Sequence, residues 1–181
     1  LRNAPRQMER QMVSGETHFV WGERYRLDVS RTGRHAVVLK GTTLWLVAPR
    51  GADPDARRRV LDRWYRGQIA DALTPLLDKW QAVVGEYVDK IEIRRMKTRW
   101  GNCTPTARTI RLNVELATKN PRCLEYVVVH ELIHLLERTH NDRFVSLMDR
   151  FLPSWRAVRD ELNDSPLSYA VWGSTRDSRQ G

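Results

Sequence analysis

The chain has 181 residues, enough for one domain with a substantial core and a small appended lobe. Its 31 Lys and Arg against 22 acidic residues give a formal net charge of +9. That balance suits a polyanionic partner such as nucleic acid or a phosphorylated substrate, or equally a protein that is merely basic, because only Arg57-Arg58-Arg59 and the stretch from Arg94 to Arg99 are dense. No apolar run approaches the ~20 residues that cross a bilayer, and the N-terminal LRNAPRQMERQMVSGE has no apolar centre and does not read as a secretory signal. Two cysteines, Cys103 and Cys123, make no disulfide framework, so a cytoplasmic protein with free thiols is expected.

Residues 1–15 are polar and read as a flexible arm. From 16 to 50, HFVWG, RYRLDVS, HAVVLK and TLWLVA alternate around Gly22, Thr32-Gly33 and Gly41, which predicts a small antiparallel meander. Asp53-Pro54 then supplies an N-cap and a proline at the first helical position. Val60, Leu61, Trp64, Ile69, Leu73, Leu76 and Leu77 follow at helical spacing, with Pro75 expected to kink or split the helix and Gly85 to end it. KIEIRRM and TIRLNVEL alternate again and flank TRWGNCTPT. Asn120-Pro121 opens a helix apolar on nearly every side, which predicts burial all round. Asn141 or Asp142 caps a further helix with Phe144, Leu147, Met148 and Phe151 inward. Pro153 breaks it, a last short helix runs from Ser154 through Leu162, and 165–181 reads as a polar tail.

The buried helix contains His130-Glu131-Leu132-Ile133-His134. Residues four apart share a helix face, so both imidazoles can reach one ion. Zinc accepts nitrogen donors at ~2.0–2.1 Å, and catalytic sites use three protein ligands and a water. Glu131 is then placed to activate the zinc-bound water for attack on a carbonyl. A carboxylate among Val, Leu and Ile needs a cationic partner to offset its desolvation, and a dication supplies one. The alternative, two core histidines and a glutamate at this spacing by chance, leaves that carboxylate unaccompanied. The third ligand is expected to be His140, brought back by a turn if the helix ends near Arg138; Glu137, Asp142 and Glu161 are the other candidates. Metzincins carry a glycine in that turn, and Glu137 at that position excludes them. His18 and His35 read as structural or surface residues. The elements together predict an α+β fold. A zincin-like catalytic domain spans 51–164, with its active-site helix packed on a small sheet behind the N-terminal antiparallel β segment.

MKTRWGNC, IRLNVEL, EYVVVHELIHLLERTHNDRF and LPSW, in this order, resemble the YgjP-like family of small metallopeptidases, related to SprT-type zinc proteases. The resemblance runs from about Val13-Ser14-Gly15 to Leu162. It implies a peptidase whose zinc is bound by His130, His134 and His140, with Glu131 as the motif's glutamate. The family's usual W-G-S-C reads W-G-N-C here, with Asn102 in place of Ser. TRWGNC is expected to form an edge strand beside the cleft, able to pair with an extended peptide. Arg99 and Trp100 are the candidate substrate contacts. For Arg99 the structural alternative is a salt bridge to an acidic neighbour such as Glu125; for Trp100 and for Cys103 it is burial in the core. Two further functions compete with a peptidase. Arg94, Arg95, Lys97 and Arg99 suit hydrolysis of a nucleotide phosphoanhydride, though no Gly-rich phosphate loop is present. The net charge suits a DNA-associated protease or docking module, though no dedicated DNA-reading motif is present.

Overall fold

The first sheet is built by alternation of apolar and polar residues in four short strands, β1 (Thr17–Val20), β2 (Glu23–Ser30), β3 (Ala36–Lys40) and β4 (Thr43–Val47). These belong to a computed structural model that describes residues 11–164; residues 1–10 of the expected arm and the expected tail from 165 onward lie outside the described residues. The strand order is β1-β2-β4-β3. β1–β2 and β3–β4 pair antiparallel, but β2 and β4 run parallel, with Leu27 opposite Leu44 and Val29 opposite Leu46. The expected meander is therefore corrected at one pairing. β4 carries the most apolar inward face, with Leu44 and Leu46 fully buried, and it takes the place between β2 and β3. Residues 31–42 form the crossover, about the dozen residues that a parallel pairing needs.

α1 (Pro54–Val84) starts as its sequence predicts, with the Asp53 carboxylate accepting from the Ala56 N–H at 2.7 Å and Pro54 in the first turn. It is one continuous helix and is not split at Pro75. Pro75 and Asp71, whose carbonyl loses its donor to the proline ring, both lie on the exposed face, where water can serve that carbonyl. Gly85 closes the helix in the left-handed region, φ 79°, its N–H donating to the Gln81 carbonyl at 2.9 Å.

The second sheet has β5 (Lys90–Arg94), β6 (Gly101–Thr104) and β7 (Thr109–Asn113) in the order β5-β7-β6. β7 is central, parallel to β5 and antiparallel to β6, so β6 is an edge. Three more helices complete the α+β fold: α2 (Pro121–Ile133), α3 (Asp142–Phe151) and α4 (Trp155–Asn163). One apolar cluster runs from Met12, Val20, Leu27 and Leu44 through Tyr65 and Ile69 of α1 to Leu112, Val128 and Trp155. Among the described residues no helix is long and apolar enough to cross a membrane.

Arg95, just past β5, joins three elements. Its guanidinium donates to both Asp62 oxygens, at 2.6 and 3.1 Å, and also pairs with Glu115. One of the four cations of the basic stretch is thus committed to the scaffold.

Candidate metal centre and active site

The site is built on the C-terminal half of α2. Asn120 caps that helix through the Arg122 N–H at 3.1 Å, and Pro121 opens it. Every residue from Tyr126 to Ile133 is buried, as the all-round apolar pattern predicts. The helix ends at Ile133, earlier than the expected end near Arg138, and His134 is its C-cap in right-handed geometry, φ −63° and ψ −14°. His134 therefore still lies one turn beyond His130. Tight bonds from Leu135 N–H to the Leu132 carbonyl, 3.0 Å, and from Leu136 N–H to the Ile133 carbonyl, 2.9 Å, close the helix.

Side chains, not glycine, make the turn that follows. The Glu137 carboxylate accepts from the Thr139 N–H at 3.3 Å and its hydroxyl at 3.1 Å. Asn141 then caps α3 by accepting from the Phe144 N–H at 3.0 Å. These bonds shape the 137–141 loop and return His140 to the helix.

The result is a triangle of imidazole nitrogens. Nε2 of His130 and His134 are 3.2 Å apart, and Nε2 of His140 is 3.0 Å from each. Three donors ~2.0–2.1 Å from one tetrahedral ion lie roughly 3.3 Å from one another, so the triangle fits a metal with little adjustment. The His134 Nδ1–H donates to the Glu137 carbonyl at 3.0 Å, which leaves the Nε2 lone pair for the ion. Burial drives the imidazolium form of His130 far out of range and lowers His134 to about 4, so both rings are neutral donors. Among the described residues, His130, His134 and His140 are the one group of His, Cys, Asp and Glu side chains that converges in this way. Of the other ligand candidates, Glu161 pairs with Arg122, and Glu137 holds the Thr139 turn. Asp142 is an exposed residue of the first turn of α3. His18 is buried beside Glu16, 3.1 Å away, and His35 is exposed; neither joins the triangle.

Glu131 is 2% exposed. Burial raises its carboxyl to about 8, and the positive charge of Arg99 pulls in the opposite direction. A carboxyl this far from water needs a cation to ionise at neutral pH, and the convergent imidazoles mark where one fits.

Arg99 is exposed at the entrance to β6, and Trp100 beside it is 1% exposed. Glu125 accepts from Lys79 Nζ at 2.9 Å and Trp80 Nε1 at 2.8 Å, so it is not the partner of Arg99. Cys103 is half-buried, its thiol pushed up to about 12 by burial and then by the Glu131 charge. By strand alternation Asn102 faces away from α2, on the side where Arg111 donates to Thr104 and Glu92.

Two site residues escaped the sequence reading. Its sequence position marks Phe144 only as a core residue, yet its ring centroid is 4.8 Å from that of each of the three imidazoles. Gly101 lies against Glu131, and the signal for it was a glycine inside a strand pattern, which marks close backbone approach.

A His-Glu-x-x-His helix with a third histidine returned from the next loop is the donor set of a metal-dependent hydrolase. The chain belongs to the YgjP-like family: the model described as "YgjP-like, metallopeptidase domain" matches residues 1–165. The protein is accordingly a metal-dependent peptidase, an enzyme of peptide or protein substrates. Among solved structures, it is similar to the metallopeptidase zymogen of Pyrococcus abyssi abylysin, at 21% identity over 50% of this chain and 91% of that one, TM-score 0.47. It is also similar to the metallopeptidase zymogen of Methanocaldococcus jannaschii jannalysin, at 22% identity over 52% and 86%, TM-score 0.42. A search of curated proteins gave no match.

Proposed function

We propose that the protein is a zinc metallopeptidase in which His130, His134 and His140 hold the ion and Glu131 is the general base. The observation that carries this reading is the triangle of Nε2 atoms, 3.0–3.2 Å on a side, two from α2 and its C-cap and one from the following loop, beside a buried carboxyl on that helix. Zinc is the metal that nitrogen donors of this number favour, and it supplies Lewis acidity and lowers the pKa of water towards ~7. Glu131 takes the proton from the attacking water and delivers it to the leaving nitrogen as the C–N bond breaks.

The edge strand β6 provides the substrate platform in this reading. Asn113 N–H donates to the Trp100 carbonyl at 2.9 Å, which makes residues 100, 102 and 104 the hydrogen-bonded partners of β7. The main-chain groups of Gly101 and Cys103 then face the open edge, where an extended peptide can add as a further strand. Arg99, at the entry to that strand and close enough for its charge to reach Glu131, contacts a substrate carbonyl oxygen. Trp100 supports the strand from within the core. We place the catalytic domain at 51–164 with residues 16–50 as its N-terminal β segment, in the cytoplasm, where two free thiols remain reduced. With Arg95 held by Asp62 and Glu115, fewer cations are left for phosphate, which favours the peptide over a nucleotide.

Two expected outcomes test the site, one the ligand set and one the ring packed against it. In His140→Ala, zinc measured by mass spectrometry under native conditions falls below one equivalent, and peptide cleavage falls with it. Full occupancy and unchanged cleavage in that variant would remove His140 from the ligand set. Phe144→Ala is expected to cost about 3–5 kcal/mol of stability and to weaken zinc affinity roughly 10-fold, because the ring that packs on all three imidazoles is gone. Chelator competition measures this. Affinity equal to that of the parent protein would reduce Phe144 to an ordinary core residue.

A further inference from the structure

The Trp100-Gly101-Asn102-Cys103 segment contains a glycine that the backbone does not require. Gly101 is not among the residues in the left-handed region, so its conformation is open to any amino acid. What excludes other residues is space. A Cβ at this position would lie 2.6 Å from Glu131 Oε1, 3.0 Å from Glu131 Cγ and 2.7 Å from Val127 Cγ1. Val127 and Glu131 are four residues apart on one face of α2, both buried, and that face is packed directly on β6.

We infer that Gly101 is a positioning residue for Glu131: its missing side chain forms the slot in which the carboxyl lies against the substrate-binding edge strand. The inference rests on the general-base reading of Glu131. It also connects two parts of the site, because the main-chain groups of Gly101 face the open edge while its Cα side faces the carboxyl. One residue thus sets the distance between the proposed peptide platform and the base. A methyl group here has to push the end of the Glu131 side chain away, since both the Cγ and an oxygen are within contact. A displacement on the order of 1 Å in a catalytic group costs roughly 10²-fold in rate.

Gly101→Ala is the direct test, with Val127→Ala and the double variant beside it. The single variant is expected to lose roughly 10–100-fold in kcat, with KM within a few-fold of the parent. Its one equivalent of metal and its cobalt(II) absorption spectrum stay unchanged, since no ligand moves. Val127→Ala relieves the second contact, so the double variant is expected to recover thermal stability while its kcat stays low. A kcat that returns together with stability makes Gly101 a packing residue only, and a single variant as active as the parent overturns the inference. Should neither protein carrying alanine at 101 fold, Gly101→Ala/Glu131→Ala decides. Folding recovered by removal of the carboxyl side chain supports the slot, and no recovery contradicts it. Failure of the general-base reading is separable: Glu131→Gln with Gly101 intact would then keep its activity, whatever the stability coupling between 101 and 131.

Discussion

Glu131→Gln is expected to lower kcat/KM for a peptide by roughly 10²–10⁴-fold, the range for removing a general acid–base group. Glutamine has nearly the shape of glutamate, so it fits the slot beside Gly101 and Val127 and leaves the three imidazoles in place. Metal content and melting temperature are therefore expected to stay close to the parent values. The change removes one function, the capacity to accept a proton from water and hand it to the leaving amine. Steady-state kinetics on a cleavable peptide, with zinc occupancy confirmed in the same preparation, measures it. Retained activity at full occupancy would transfer the base to another group.

Metal removal is expected to have the second large effect. Three imidazole nitrogens, one buried and two half-buried, converge to 3.0–3.2 Å, the spacing that a shared ion fills. A ligand that binds only the folded state stabilises it by mass action, about 4 kcal/mol at a thousand-fold excess over Kd. For a chain of this size, that corresponds to a melting temperature raised by about 10 °C. A chelator should reverse the shift and abolish cleavage, and zinc should restore both. His134→Ala is expected to melt at one temperature with or without zinc. If the parent protein also melts independently of zinc, the imidazole triangle is a packing feature and no metal centre.

Local features of the fold were legible because local physics sets them. The Asp53-Pro54 and Asn120-Pro121 starts, the Asn141 cap and the all-round apolar run of α2 each depend on neighbours within a turn. The same holds for His130, Glu131 and His134, whose juxtaposition needs only helical spacing. Pairing across the chain was harder. The parallel contact of β2 with β4 reflects competition among strands for the interior position, which Leu44 and Leu46 win through their full burial in the apolar core. Pro75 stays within one helix because it falls on the exposed side, and sequence shows the residue without showing its environment. The return of His140 was anticipated, but its means was not. Helix α2 stops five residues sooner than expected, and the Glu137 carboxylate shapes the turn through Thr139. The place of Phe144 beside the imidazoles is visible only in three dimensions, and for Gly101 the sequence shows a glycine in a strand pattern without showing that Glu131, on another element, fills the space beside it.

The most direct measurement is turnover of a peptide library set against a panel of nucleoside triphosphates, with zinc-loaded protein and its Glu131→Gln counterpart in parallel. Peptide cleavage by the zinc-loaded parent, lost in Glu131→Gln and with no phosphate release, is the expected result. Phosphate release dependent on Glu131, with every peptide intact, would contradict it.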